Sequence, residues 1–122
     1  MTQTEALAWA REWIADWNRM DVAAVLAHFA DEAQFTSPRA LALMGRATVS
    51  NKRELEEYWG RARTRVQSLH FELDHVLNDG DRLAIVYIAE VNGVRMRAVE
   101  FFRFDDAGRV VAGEAMHGVV LS

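Results

Sequence analysis

The chain has 122 residues, a formal net charge of −4, no cysteine and one proline, with 51% apolar and 26% charged residues. That length suits one domain over residues 1–122, and a chain of this size buries roughly two-thirds of its unfolded surface without a disulfide or metal staple. The apolar share excludes a disordered chain, and the missing cysteines exclude a disulfide framework, a thiolate nucleophile and a Cys-ligated zinc site. The acidic balance argues against a nucleic-acid partner. The first residues, MTQTEALAWAREW, lack a signal-peptide core. No apolar run approaches the roughly 20 residues that span a bilayer, so a cytoplasmic protein without a membrane partner is expected. Four tryptophans and six phenylalanines are a heavy aromatic load that needs somewhere to go.

From Thr4 to Met20 the apolar residues fall in one arc of roughly 160°, with Trp9, Trp13 and Trp17 along one flank. This predicts an amphipathic helix. Asp21 can cap a short second helix carrying Val22, Val25, Leu26 and Phe29. Ala33 to Ser37 alternates as a short strand that Pro38 ends. Residues 39–50 show no period. A third helix starts near Asn51, where Glu54 completes a capping-box-like spacing, and presents Leu55, Tyr58, Trp59 and Ala62 on one side. Its charges at Lys52, Arg53, Glu56, Glu57, Arg61, Arg63 and Arg65 read as a solvated face. Four strands follow: Leu69–Leu77, Arg82–Val91, Val94–Phe104 and Val110–Leu121. Helices first and an antiparallel meander after predict an α+β fold, with helices on one face of a curved sheet.

Asn92-Gly93 is a two-residue hairpin signal, which pairs Val91 with Val94. Counting outward sets Tyr87 opposite Ala98, Ile85 opposite Glu100 and Leu83 opposite Phe102, all on the more apolar, inner face. The other face carries Val86, Ile88, Val99 and Phe101 among arginines and Glu90. Its apolar centre is larger than a solvated sheet needs, which points to a homodimer through that face. A three-residue loop with a bulge after Asp79 keeps Phe71 and Leu73 inside. A four-residue loop at the last turn pairs Phe104 with Arg109, sets Gly113 opposite Glu100, and places His117 on the inner face. In that register His117 lies nearer Met96, about 13 Å along the strand from the partner of Glu100, whereas a one-residue slip would move Glu114 and Met116 inward instead.

Glu100 interrupts an apolar inner face. Burial there raises a carboxyl pKa, and the neutral acid donates a hydrogen bond to a carbonyl or oxyanion. Ala98, Gly113 and Ala115 leave space beside it, so the alternatives are a pocket acid or a wetted acid at the sheet rim. Tyr87 lies diagonal to Glu100 as a donor or a plain core tyrosine. His117 is a ligand contact or a buried histidine satisfied by backbone. Trp13, Trp17, Tyr58 and Trp59 line a cavity or fill a core. His28 suits the end of the short helix as a cation, His70 points outward and His75 inward. No histidine–carboxylate spacing suggests a metal, no cofactor motif is present, and Ser37 reads as a turn serine without a base.

The stretches ADWNRMDVAAVLAHFADEAQFTSP (15–38), ELEEYWG (54–60) and AVEFFRFDDAGRVVAGEAMHGV (98–119) resemble NTF2-like, SnoaL-like proteins. The resemblance implies a cone-shaped barrel in which three N-terminal helices pack into the concave face of a curved, mainly antiparallel sheet. It also implies a pocket, and dimerisation through the outer sheet face. The family hosts isomerases, cyclases, dehydratases and non-catalytic binders. In the ketosteroid-isomerase-like branch, VEFFRF is similar to the site of a neutral oxyanion-binding acid, which puts Glu100 in that role. FTSP is similar to the site of the general base, where Ser37 stands instead of a carboxylate. Trp13 and Trp59 occupy the places of two tyrosines, and an indole N–H donates but does not usefully transfer a proton.

The combined expectation is a small, largely apolar carbonyl compound bound by Glu100, Tyr87 and His117. Its walls would come from Trp13, Trp17, Phe29, Phe35, Ser37, Tyr58, Trp59, Met96 and Phe102. A non-catalytic binding or structural module is the alternative.

Overall fold

The computed structural model describes residues 1–121. In chain order the elements are α1 (Gln3–Asn18), α2 (Val22–Leu26), β1 (Phe29–Thr36), α3 (Pro38–Met44) and β2 (Thr48–Ser50). They continue with α4 (Lys52–Arg65), β3 (Leu69–Asp79), β4 (Arg82–Val91), β5 (Val94–Phe104) and β6 (Val110–Leu121). The strands form one sheet in the order β2-β1-β6-β5-β4-β3, antiparallel except where β1 runs parallel to β6. The helices pack against its concave face, which gives the expected α+β cone.

Local chemistry sets the helix ends. Thr2 and Glu5 form a capping box at α1: Glu5 N–H donates to Thr2 Oγ1, and Thr2 N–H donates to Glu5 Oε1. Asp21 caps α2 and Asn51 caps α4 through their side-chain oxygens. The sequence shows no period over residues 39–50, yet α3 and β2 lie there. Two helical turns with a single buried residue, Ala40, are too short to display a period. Ser37 before Pro38 marks the start instead: a capping hydroxyl followed by proline in the first turn. The helices therefore number four among the described residues rather than three. Strand β1 also begins earlier than the alternation of Ala33–Ser37 suggests, because its register shifts between Phe29 and Gln34.

The β4–β5 register follows the Asn92-Gly93 turn throughout, including Ile85 opposite Glu100 and Tyr87 opposite Ala98. Phe71 and Leu73 do face inward, opposite Ala89 and Tyr87. The irregularity that puts them there is mid-strand, between Leu73 and His75, and not in the turn. It also turns His75 outward, exposed beside Asp74, against the inward expectation.

The β5–β6 register differs by two residues from the four-residue-loop expectation. Asp105 organises the turn: its carboxylate accepts from the N–H groups of Ala107 and Arg109, and its own N–H donates to the Arg109 carbonyl. Phe104 then pairs with Val110, and a bulge between Arg103 and Phe104 adds a second residue. Glu100 therefore faces Ala115, Phe102 faces Gly113 and Ala98 faces His117. A shift of two preserves the face of every residue but slides His117 toward Glu100.

Gly113 lies under the wall of the cone. A Cβ there would sit 2.9 Å from a Phe35 ring carbon and 3.0 Å from Phe102. Both rings are buried, so neither yields without repacking. Gly113→Ala is expected to lower stability by about 1–3 kcal/mol, read as a reduced Tm with an unchanged far-UV spectrum.

Candidate functional site

Inside the cone is a cavity of about 100 Å³. At about 10–15 Å³ for each water-sized group, it admits roughly seven to ten such groups. All the residues singled out from the sequence line it: Trp13 and Trp17 from α1; Phe29 and Phe35 from β1; Ser37; Tyr58 and Trp59 from α4; Tyr87; Met96, Glu100 and Phe102 from β5; and His117 from β6. The rings form a continuous mantle. Trp13 meets Tyr87 edge-on at 5.3 Å, Trp17 meets Trp59 at 5.4 Å, and Phe29 meets Trp59 at 5.2 Å. Trp9, on the same flank of α1, turns away to pack on His28, Phe102 and Phe104.

Glu100 stands on this apolar wall, 5% exposed. The Tyr87 hydroxyl donates to its Oε1 at 2.8 Å, while Oε2 is buried with no hydrogen-bond partner. Burial pushes the Glu100 pKa up to about 8, against a smaller opposing effect of the Tyr87 hydrogen bond. At neutral pH it is a carboxylic acid. With Oε1 accepting from Tyr87, the proton sits on Oε2, which makes that oxygen a donor. Burial and the neighbouring Glu100 hold the Tyr87 phenol far above its ordinary range, so Tyr87 stays a donor too.

A second polar pair lines the same cavity. Ser37 Oγ accepts from the N–H groups of Arg39 at 3.0 Å and Ala40 at 3.4 Å. With both lone pairs engaged, its own O–H donates to Tyr58 Oη, 2.9 Å away. The Tyr58 O–H is then free to turn toward the cavity. Ser37 is thus a helix cap and a cavity residue, not an isolated turn serine. His117 is half-buried; desolvation, then the charge of Arg39, lower its pKa and favour the neutral imidazole.

Two cationic lining residues escape the sequence pattern. Arg39 sits in the aperiodic stretch, and Arg63 falls among charges that read as a solvated face. Arg63 is exposed, yet its helix position in the last turn of α4 brings it to the cavity.

Outside the cavity, Asp16 is almost fully buried, and nothing in the helical period signals it. Its carboxylate accepts from Arg19 at 2.6 Å and contacts His28 Nε2 at 3.0 Å. His28 is therefore held by a carboxylate and not by a helix end. Glu12, Asp16 and His28 bring ligand atoms within 4.8 Å of one another. Both Asp16 oxygens are already engaged, so the cluster reads as a hydrogen-bonded brace between α1 and the loop after α2.

The SnoaL-like domain family matches residues 10–113. A SnoaL-like protein of unknown function from Burkholderia thailandensis is 33% identical, with a TM-score of 0.88, over 97% of this chain and 98% of that one. An NTF2-like protein of unknown function from Burkholderia pseudomallei is 22% identical, with a TM-score of 0.80, over 97% and 92%. TerC, crystallised with polyporic acid, is 16% identical, with a TM-score of 0.76, over 95% and 91%. No curated protein gives a significant match. No helix among the described residues is long and apolar enough to cross a membrane.

Glu100 ties the site to stability. Its folded pKa of about 8 exceeds the ordinary 4.5, so the native state holds a proton that the unfolded chain releases. That stabilisation is complete below about pH 4.5 and is lost as pH rises toward 8. Glu100→Gln is expected to remove a pH-dependent loss on the order of 4 kcal/mol between these limits, measured by denaturant unfolding across pH.

Proposed function

From the premise that the chain belongs to the SnoaL-like domain family of the NTF2-like fold, we propose that its cavity binds a small, largely apolar molecule bearing a carbonyl or similar acceptor. The observation that carries this reading is the unpartnered Oε2 of Glu100 on the cavity wall. A buried polar atom without a partner costs about 1–3 kcal/mol, and a ligand acceptor would relieve that cost. Oε2 is itself inaccessible in the structure, so it reaches a ligand through a modest turn about χ3, a soft torsion in glutamate, that keeps Oε1 within reach of Tyr87. TerC, co-crystallised with polyporic acid, shares the fold, and the likeness concerns the fold alone.

The reaction this arrangement suits is cofactor-independent acid-assisted chemistry: isomerisation, cyclisation, or hydration and its reverse. Glu100 polarises a carbonyl by donating from Oε2, and Tyr87 orients it. His117, two residues along β6 from the partner of Glu100, lines the same cavity, and its neutral imidazole would accept the proton. The ketosteroid-isomerase mechanism with its carboxylate base is not part of this reading. Ser37 stands at the base position, and its hydroxyl is committed to capping α3 and to Tyr58.

We also propose a homodimer through the outer sheet face. Val86, Ile88 and Val99 are only half-buried there, and Phe101 and Met116 are 42% and 49% exposed.

Aromatic ketones should quench tryptophan fluorescence through Trp13 and Trp17. Glu100→Leu should weaken that binding by about tenfold, the value of one charge-free hydrogen bond to a buried group. Glu100→Gln should retain binding and lose turnover; unchanged turnover would remove the acid role. Phe101→Glu should convert a dimer to a monomer by analytical ultracentrifugation, and a monomeric wild type would refute the interface.

A further inference from the structure

We infer that the ligand is an anion: a small apolar or aromatic body with a carbonyl acceptor at Glu100 and a carboxylate balanced by the guanidinium groups of Arg39 and Arg63, which line the same cavity. This rests on the reading of the cavity as a ligand site and specifies its substrate class.

The charge of the cavity runs against that of the chain. The sequence has 18 acidic and 14 basic side chains, so an indifferent wall would lean acidic. The lining holds Arg39 and Arg63, and Glu100 is its one carboxyl group among the described residues. With Glu100 protonated and His117 neutral, the fixed charges are both positive. A protonated Glu100 also spares an anion the repulsion that an ionised one would exert.

Neither guanidinium has a hydrogen-bond or ion-pair partner among the described residues. The nearby carboxylates are committed elsewhere. Glu57 pairs with Arg61 at 2.6 Å and Glu54 with Arg46 at 3.1 Å, while Arg61 also donates to the Leu43 carbonyl. Arg39 and Arg63 come from different helices, α3 and α4, and both line one cavity. The charge of Arg39 is felt inside: it lowers the pKa of His117 and opposes the upward shifts of Tyr58 and Tyr87. Two planar guanidinium groups suit a carboxylate, which accepts paired N–H donors. Room for roughly seven to ten water-sized groups matches an acetylphenyl body, which leaves the carboxylate at the exposed edge of the cavity where Arg63 lies.

The test compares 4-acetylbenzoate with its neutral carboxamide, 4-acetylbenzamide, by tryptophan quenching at low salt. The acid is expected to bind about tenfold or more tightly, with the advantage shrinking as salt rises. Arg39→Gln and Arg63→Gln should each cut the acid's affinity several-fold and leave the amide's unchanged, which also reports that the variants are folded. Equal binding of acid and amide, or an acid preference that survives in the double variant, would overturn the anion assignment and leave the cavity reading standing. Quenching by neither compound at millimolar concentration would overturn both.

Discussion

The burial of one carboxyl group inside an aromatic mantle is the constraint on which the site depends. Glu100 has a single hydrogen bond, from Tyr87, and otherwise faces rings and small side chains. In water its proton would leave near pH 4.5; here it stays to about pH 8. The cost of burying an ionised carboxylate thus becomes a property of the wall: a fixed donor at neutral pH. Its neighbours on the sheet, Ala98 on the same strand and Ala115 opposite, are small.

The rest of the fold holds this group in place. Strand β5 pairs with β4 without interruption from the Asn92-Gly93 turn, which fixes Tyr87 within reach of Glu100. Bulges sit on the flanking strands instead, at Leu73/His75 in β3 and on both ends of the β5–β6 pairing. Bulges bend a sheet, and bending is what lets it wrap α1 rather than lie flat on it. The capped start of α3 adds Ser37 and Arg39 to the lining, with Tyr58 bonded to Ser37. The cavity is therefore lined by a few polar groups set among aromatic rings.

Much of this is legible in the sequence where a local signal propagates. One Asn-Gly dipeptide fixes ten residue pairs and the face of Glu100. The tryptophan spacing places Trp13 and Trp17 on one flank, and both reach the cavity. Legibility ends where side chains, not backbone periods, decide. The Asp105 turn and the bulge between Arg103 and Phe104 shift β6 by two residues, and no period encodes a bulge. Helix α3 is too short to show its own period. Buried Asp16 depends on Arg19 and on His28, which lies beyond the end of α2, a tertiary meeting that one helix cannot announce. Arg39 and Arg63 look like ordinary surface charges until the fold brings α3 and α4 to the same cavity.

The central claim is that Glu100 is a neutral acid at physiological pH. A carbon-13 NMR titration of the glutamate side-chain carboxyls, with the Glu100 resonance assigned by its loss in Glu100→Gln, tests it directly. The account predicts a midpoint near pH 8 for that resonance. A midpoint near the ordinary 4.5 would contradict it, because Glu100 would then be a solvated carboxylate with no proton to donate.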